Sequence, residues 1–139
     1  MTDLLENLPD AMASEYVGDY ILFLDDVLGT GTFGCVVRAL NFTSSKFLAA
    51  KILSTTGRDQ RLMAQEIAVL RGLRHKNVIS FFGYNVTGAA LYLFLELASN
   101  GDLYGLVRKE GTLDDARSRR CFTEIMSGVE YLHEMGVVH

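Results

Sequence analysis

Three glycines at positions 29, 31 and 34 lie between two stretches that both read as β-strands, and this restricts the fold more than any other feature of the chain. Before them, residues 20–28 are rich in aromatic and branched side chains. After them, Cys35-Val36-Val37-Arg38-Ala39 resumes an extended pattern. A dinucleotide-binding fingerprint with the same glycine spacing has to run into a helix, whose N-terminus holds the pyrophosphate. A Walker A loop needs Gly-Lys-Ser/Thr, which is absent. The triplet is therefore the tip of a β-hairpin, and by itself it also fits an ordinary glycine-rich turn.

The rest of the chain fits an antiparallel sheet with helices. Residues 41–45 are polar turn material, and residues 46–53 read as a third strand in hairpin succession. The period then changes. Leu62, Ile67, Leu70 and Leu73 recur at helical spacing between residues 59 and 73, with Gly57 before and Gly72 near the end. Residues 78–82 and 91–95 are two further strands, separated by a turn at Thr87-Gly88. A second helix is expected over residues 114–134, with Phe122, Ile125, Met126, Val129 and Leu132 on one side and Asp114 and Asp115 in its first turn, where they suit the helix dipole. The fold class is α+β. Residues 1–18 read as a preface in which Leu4, Leu5, Leu8 and Met12 form one face of a short helix packed on the domain.

Composition narrows the function classes. A net charge of −4 supplies no basic field for nucleic acid. No apolar run approaches the roughly 20 residues of a membrane span, and Asp3 and Glu6 stand where a signal peptide would be basic. Cys35 and Cys121 lack the spacing of a zinc site or a disulfide framework, so a reducing compartment, nucleus or cytoplasm, is expected. Three scattered histidines form no metal site; His75 and His133 read as structural hydrogen-bonding residues. Cys35 should face away from Val36 as a solvent-exposed thiol, and Arg117, Arg119 and Arg120 should form a solvated helix face.

Lys51 adds chemistry to the glycine loop. It follows Ala49-Ala50 on the third strand, one hairpin after the glycines. A lysine buried on a strand is costly unless paired. Phosphate oxygens supply one negative partner, and Glu66 on the following helix supplies another.

In this order the motifs resemble those of the eukaryotic protein kinase domain. Gly29 to Val36 is similar to the G-x-G-x-x-G-x-V loop, Leu48-Ala49-Ala50-Lys51 to V-A-I-K, and Glu66 to the helix glutamate that pairs with that lysine. Leu73-x-His75-x-Asn77-Val78-Ile79 resembles the loop after that helix. Leu95-Glu96-Leu97-Ala98 resembles the gatekeeper and hinge, followed by Asn100-Gly101-Asp102-Leu103. Tyr131-Leu132-His133 through Val138-His139 resembles the approach to H-R-D. Asn77-Val78-Ile79-x-Phe81-x-Gly83, Tyr92-Leu93-Phe94-Leu95-Glu96 and Gly128-Val129-Glu130-Tyr131-Leu132-His133 are most like the checkpoint branch of serine/threonine kinases. The resemblance covers about residue 20 to the end.

The resemblance implies a kinase-like N-lobe with a five-stranded antiparallel sheet and one helix over residues 20–95. A hinge at 96–102 and the start of a C-lobe at 103–139 follow, after an N-terminal extension at 1–19. It implies ATP and magnesium as cofactors and proteins as substrates, without nucleic acid or membrane. The glycine loop, Gly29, Thr30, Gly31, Thr32, Phe33 and Gly34, would approach the phosphates with its backbone N–H groups. Lys51 would orient the α and β phosphates, held by Glu66. Leu28, Val36 and Ala49 would roof the adenine with Leu95 behind, and the carbonyl of Glu96 and N–H of Ala98 would hydrogen-bond it. Asp102 would reach the ribose or a basic substrate residue.

There are departures. Ala50 replaces a larger residue, Leu97 stands where an aromatic is common, and Asn100-Gly101-Asp102 replaces Gly-Gly-Glu. The catalytic Asp would fall two positions after His139 and the magnesium ligands later still, so the chain is expected to be a fragment that is inactive alone. The alternative is a non-catalytic kinase-like module that regulates by binding nucleotide or a partner.

Overall fold

Side chains on a strand alternate between the two faces of a sheet, and here both faces are put to use. The computed structural model describes residues 13–31, 34–57 and 59–138. The strands are β1 (Ser14–Val17), β2 (Tyr20–Gly31), β3 (Gly34–Asn41), β4 (Lys46–Ser54), β5 (Phe81–Val86) and β6 (Ala90–Leu95). They form one antiparallel sheet in the order β1-β2-β3-β4-β6-β5. The helices are α1 (Gln60–Gly72), between β4 and β5, then α2 (Leu103–Glu110) and α3 (Asp115–Glu134).

On one face Leu48 and Ala50 of β4 meet Val37 and Ala39 of β3, Leu22 of β2, and Tyr92 and Phe94 of β6. This face is covered because the sheet rolls on itself. Tyr20 stacks on Phe94 with ring centroids 3.5 Å apart, and the Tyr92 hydroxyl donates to the Glu15 carboxylate at 2.9 Å. Those residues lie on strands that are not neighbours in the sheet. Burial, and secondarily the Glu15 carboxylate, push the Tyr92 phenol above its ordinary pKa. On the other face Leu53, Leu91 and Leu93 pack with Ile67, Met63 and Leu70 of α1.

The elements follow the expected order, with four differences. The sheet has six strands, not five, because β1 forms inside the segment expected as an extension. It is only four residues long with a single buried residue, Val17, so its sequence carries almost no alternation. The strand expected over 78–82 instead runs Phe81–Val86, since the Val78 N–H turns back to the His75 carbonyl at 3.1 Å. Cys35 does face away from Val36, but that face is the rolled interior: the thiol is half-buried against the core. His133 is exposed, and its imidazole makes no hydrogen bond among the described residues. The face expected from Leu4, Leu5, Leu8 and Met12 lies outside the described residues.

Each helix begins on an aspartate whose carboxylate takes an otherwise unpaired N–H of the first turn. Asp59 accepts from Arg61 N–H at 2.8 Å, Asp102 from Gly105 N–H at 2.6 Å, and Asp114 from Arg117 N–H at 2.8 Å. The arginines of α3 form a solvated face, with Arg117, Arg119 and Arg120 paired to Glu110, Asp115 and Glu124.

The loop between α1 and β5 is fastened to α3. Tyr131 accepts from the Arg74 N–H at 2.8 Å, and its ring stacks on His75 at 5.0 Å between centroids. The Asn77 N–H donates to His75 Nδ1 at 3.1 Å. A side chain on Gly128 would come within 2.9 Å of the Asn77 carbonyl oxygen, so only glycine permits this approach. His75 is thus structural, as expected.

Candidate functional site

Residues directly opposite each other in an antiparallel ladder share a face. Val36 is opposite Lys51, and Ala49 is opposite Leu95. The register therefore places these four expected site residues on the face that α1 covers in part. Ala49 is buried, while Val36, Lys51 and Leu95 are half-buried. Leu28, at the β2 irregularity between Val27 and Gly29, is exposed.

Lys51 and Glu66 line one cavity of about 840 Å³ together with Leu62, Val69, Leu93 and Leu95. They do not form the expected ion pair: among the described residues the ion pairs are Arg38–Asp26 and the three on α2 and α3. The cause is how α1 docks. It sits on the sheet through Ile67, Met63 and Leu70, and Glu66 is left exposed at the cavity rim. Lys51 so presents its ammonium to a cavity without an ion-pair partner among the described residues.

The glycines divide into two kinds. A Cβ on Gly34 would lie 1.9 Å from the Ile52 carbonyl oxygen, and its φ is +154°. That glycine is required by the close passage of β4. Among the described residues, a Cβ on Gly29 or Gly31 would meet no atom within 4 Å, and neither has a positive φ. Protein packing does not require glycine there, and the space above them suits an approaching ligand. Thr30 is exposed beside them; Thr32 and Phe33 lie outside the described residues.

After β6 the chain leaves the sheet. The carbonyl of Glu96 and the N–H of Ala98 enter no main-chain hydrogen bond among the described residues, whereas Ala98 O and Leu97 O are taken by Gly101 N–H and Ser99 N–H. An acceptor and a donor two residues apart are thus left open on an extended segment, the pair a purine edge needs. Asp102 already has a structural task, since its Oδ1 accepts from the Gly105 N–H and caps α2, while its remaining acceptor sites face the expected ribose or substrate contact without a partner among the described residues. Two features had no signal in the sequence. One is a second cavity of about 820 Å³ on the other flank of α1, lined by Ala64, Ala68, Arg71, Tyr84 and Val86 among others. The other is a link between Ser80 and Glu96, described below.

The protein kinase domain model matches residues 23–139. The chain belongs to the protein kinase domain family. It is 33% identical over 119 residues to the mitogen-activated protein kinase kinase kinase YODA of Arabidopsis thaliana, covering 81% of this chain and 14% of that protein. It is 31% identical over 116 residues to the cytokinesis protein sepH of Aspergillus terreus, covering 84% of this chain and 9% of that protein. Among solved structures, Rad53 1-466 in complex with AMP-PNP superposes with a TM-score of 0.79 at 30% identity, over 87% of this chain and 32% of that one. The kinase domain chain thus spans a small part of the length of these curated relatives. Within that family, the rolled sheet with α1 is the N-lobe, and α2 and α3 begin the C-lobe.

Proposed function

We propose that this chain is the ATP-gripping part of a serine/threonine protein kinase that uses magnesium-ATP to phosphorylate protein hydroxyls. The observation that carries the reading is the shared sheet face of Val36, Ala49, Lys51 and Leu95 beside the open Glu96 carbonyl and Ala98 N–H. Apolar residues would clasp the adenine, the hinge would hydrogen-bond its edge, and the unpaired Lys51 would meet phosphate oxygens. Phosphoryl transfer asks mainly for positioning and charge stabilisation, and these groups supply the positioning. The structure of Rad53 with AMP-PNP, to which the chain is similar, supports ATP as the nucleotide.

The catalytic Asp and the magnesium ligands expected from the family fall past position 139. This polypeptide alone is therefore inactive in the proposed reading. With magnesium-ATP and a generic protein substrate it should transfer no phosphate above a Lys51→Met control; Lys51-dependent transfer would overturn that statement. The Asn77-Val78-Ile79 and Tyr92 to Glu96 segments support the checkpoint branch, and two thiols without the spacing of a disulfide framework support a nuclear or cytoplasmic location. The separation of Lys51 from Glu66 favours a second reading, a kinase-like module that binds nucleotide or a partner without transferring phosphate. A longer product bearing Asp and Asn after His139 that phosphorylates protein decides for the enzyme.

A further inference from the structure

We infer that the Glu96 side chain is a positioning group for the nucleotide base: its carboxylate takes the place of the Glu96 main-chain carbonyl in the last rung of the sheet and so frees that carbonyl for the ligand. The inference rests on the ATP-binding reading above and goes beyond it.

In an antiparallel pair, opposed residues of a hydrogen-bonded rung exchange both N–H···O bonds. Phe81 is opposite Leu95, so the next pair outward is Ser80 with Glu96. Half of that rung is normal: the Glu96 N–H donates to the Ser80 carbonyl at 2.8 Å. The reciprocal bond would run from the Ser80 N–H to the Glu96 carbonyl. Instead the Ser80 N–H donates to Glu96 Oε2 at 3.0 Å. The donor is satisfied, the strand end stays tied, and the Glu96 carbonyl is released at the point where the chain leaves β6.

Release matters because a carbonyl held in a ladder is directed at the neighbouring strand. A carboxylate also serves better here than a neutral acceptor, since a hydrogen bond to a charged group is shorter and stronger. Ser80 belongs to the loop fastened to α3 through Arg74 and His75. The carboxylate thus ties the hinge to a fixed point of the fold.

The test compares Glu96→Ala and Glu96→Gln in the 139-residue chain, Gln keeping an acceptor oxygen at the same reach. A hydrogen-bond scalar coupling between the Ser80 amide nitrogen and the main-chain carbonyl of residue 96 should be absent in the parent and in Glu96→Gln, and present in Glu96→Ala, where the carbonyl returns to the rung. Titration with ATP should give affinity about tenfold weaker for Glu96→Ala and within about twofold for Glu96→Gln, the loss expected of one hydrogen bond. Titration with purine riboside triphosphate, which lacks the 6-amino group, should show little change in either variant. A merely structural role would weaken both nucleotides alike, and that result overturns the inference. So does the absence of that coupling in Glu96→Ala. If the parent chain binds no nucleotide, the ATP-binding reading fails and the base-positioning role with it, while the coupling between Ser80 and residue 96 still reports separately whether the carboxylate takes the carbonyl's place in the rung.

Discussion

Gly34 and Gly31 share one motif but answer to different physics. Gly34 passes the β4 backbone so closely that a Cβ would overlap the Ile52 carbonyl. Backbone cannot swing aside as a flexible side chain would, and the positive φ adds strain of about 1–3 kcal/mol. Gly34→Ala should therefore lower stability by about 3 kcal/mol or more, in the range of severe single substitutions. Gly31→Ala, which meets open space, should stay within about 1 kcal/mol of the parent while weakening nucleotide binding. Denaturant melts of the two variants check the contrast, and equal losses would contradict it. Tyr92 supplies a second test. Its phenol is raised by burial first and by Glu15 second. A raised acid binds its proton more tightly when folded, so its contribution is complete below the unfolded value of about 10. It is lost as pH rises through the raised folded value. The alkaline limb of a stability profile should begin above about pH 10 and should shrink in Tyr92→Phe.

At the scale of elements, most of what positions the site could be read from the sequence. The glycines between strands gave the first hairpin, and helical spacing placed α1 and α3, while the capping by Asp59 and Asp114 emerged only in the structure. Such signals are local and survive any tertiary context. What was not readable depends on which surface covers which. β1 is a local hairpin with β2, Val17 facing Tyr20 across the two-residue Gly18-Asp19 turn, but with one buried residue in Ser14–Val17 its alternation was too weak to be read. Cys35 looked solvent-facing because alternation gives its face but not that the face is enclosed. The Lys51–Glu66 pair, expected for the complete kinase, is not formed in this chain for the same reason: order along the chain sets which elements meet, while the docking of α1 through Ile67 sets how close their polar ends come. The loop on α3 yields the prediction for this scale. Tyr131→Phe removes the acceptor for the Arg74 N–H and should cost about 1 kcal/mol, with faster exchange of that amide. Tyr131→Ala should cost more, since the stack on His75 goes too. Thermal melts and amide exchange check both, and a Phe variant with unchanged Arg74 exchange would contradict the assignment.

Across the whole molecule, the rolled sheet holds one set of apolar residues inside, and the other face carries α1 together with the charged and apolar groups of the site. The glycines, Lys51 and the hinge come from β2 and β3, β4 and the segment after β6, and the sheet register brings them to one side. α3 by contrast leaves Phe122, Ile125 and Met126 exposed along one stripe. The central claim is that the groups on the sheet side form one nucleotide site. It is tested most directly by mapping amide chemical-shift changes as ATP is titrated into the 139-residue chain. The account predicts saturable changes confined to Gly29, Gly31, Val36, Lys51 and residues 96–98, strongly weakened by Lys51→Met. No saturable change, or changes centred on the Arg71–Tyr84 flank of α1, would contradict it.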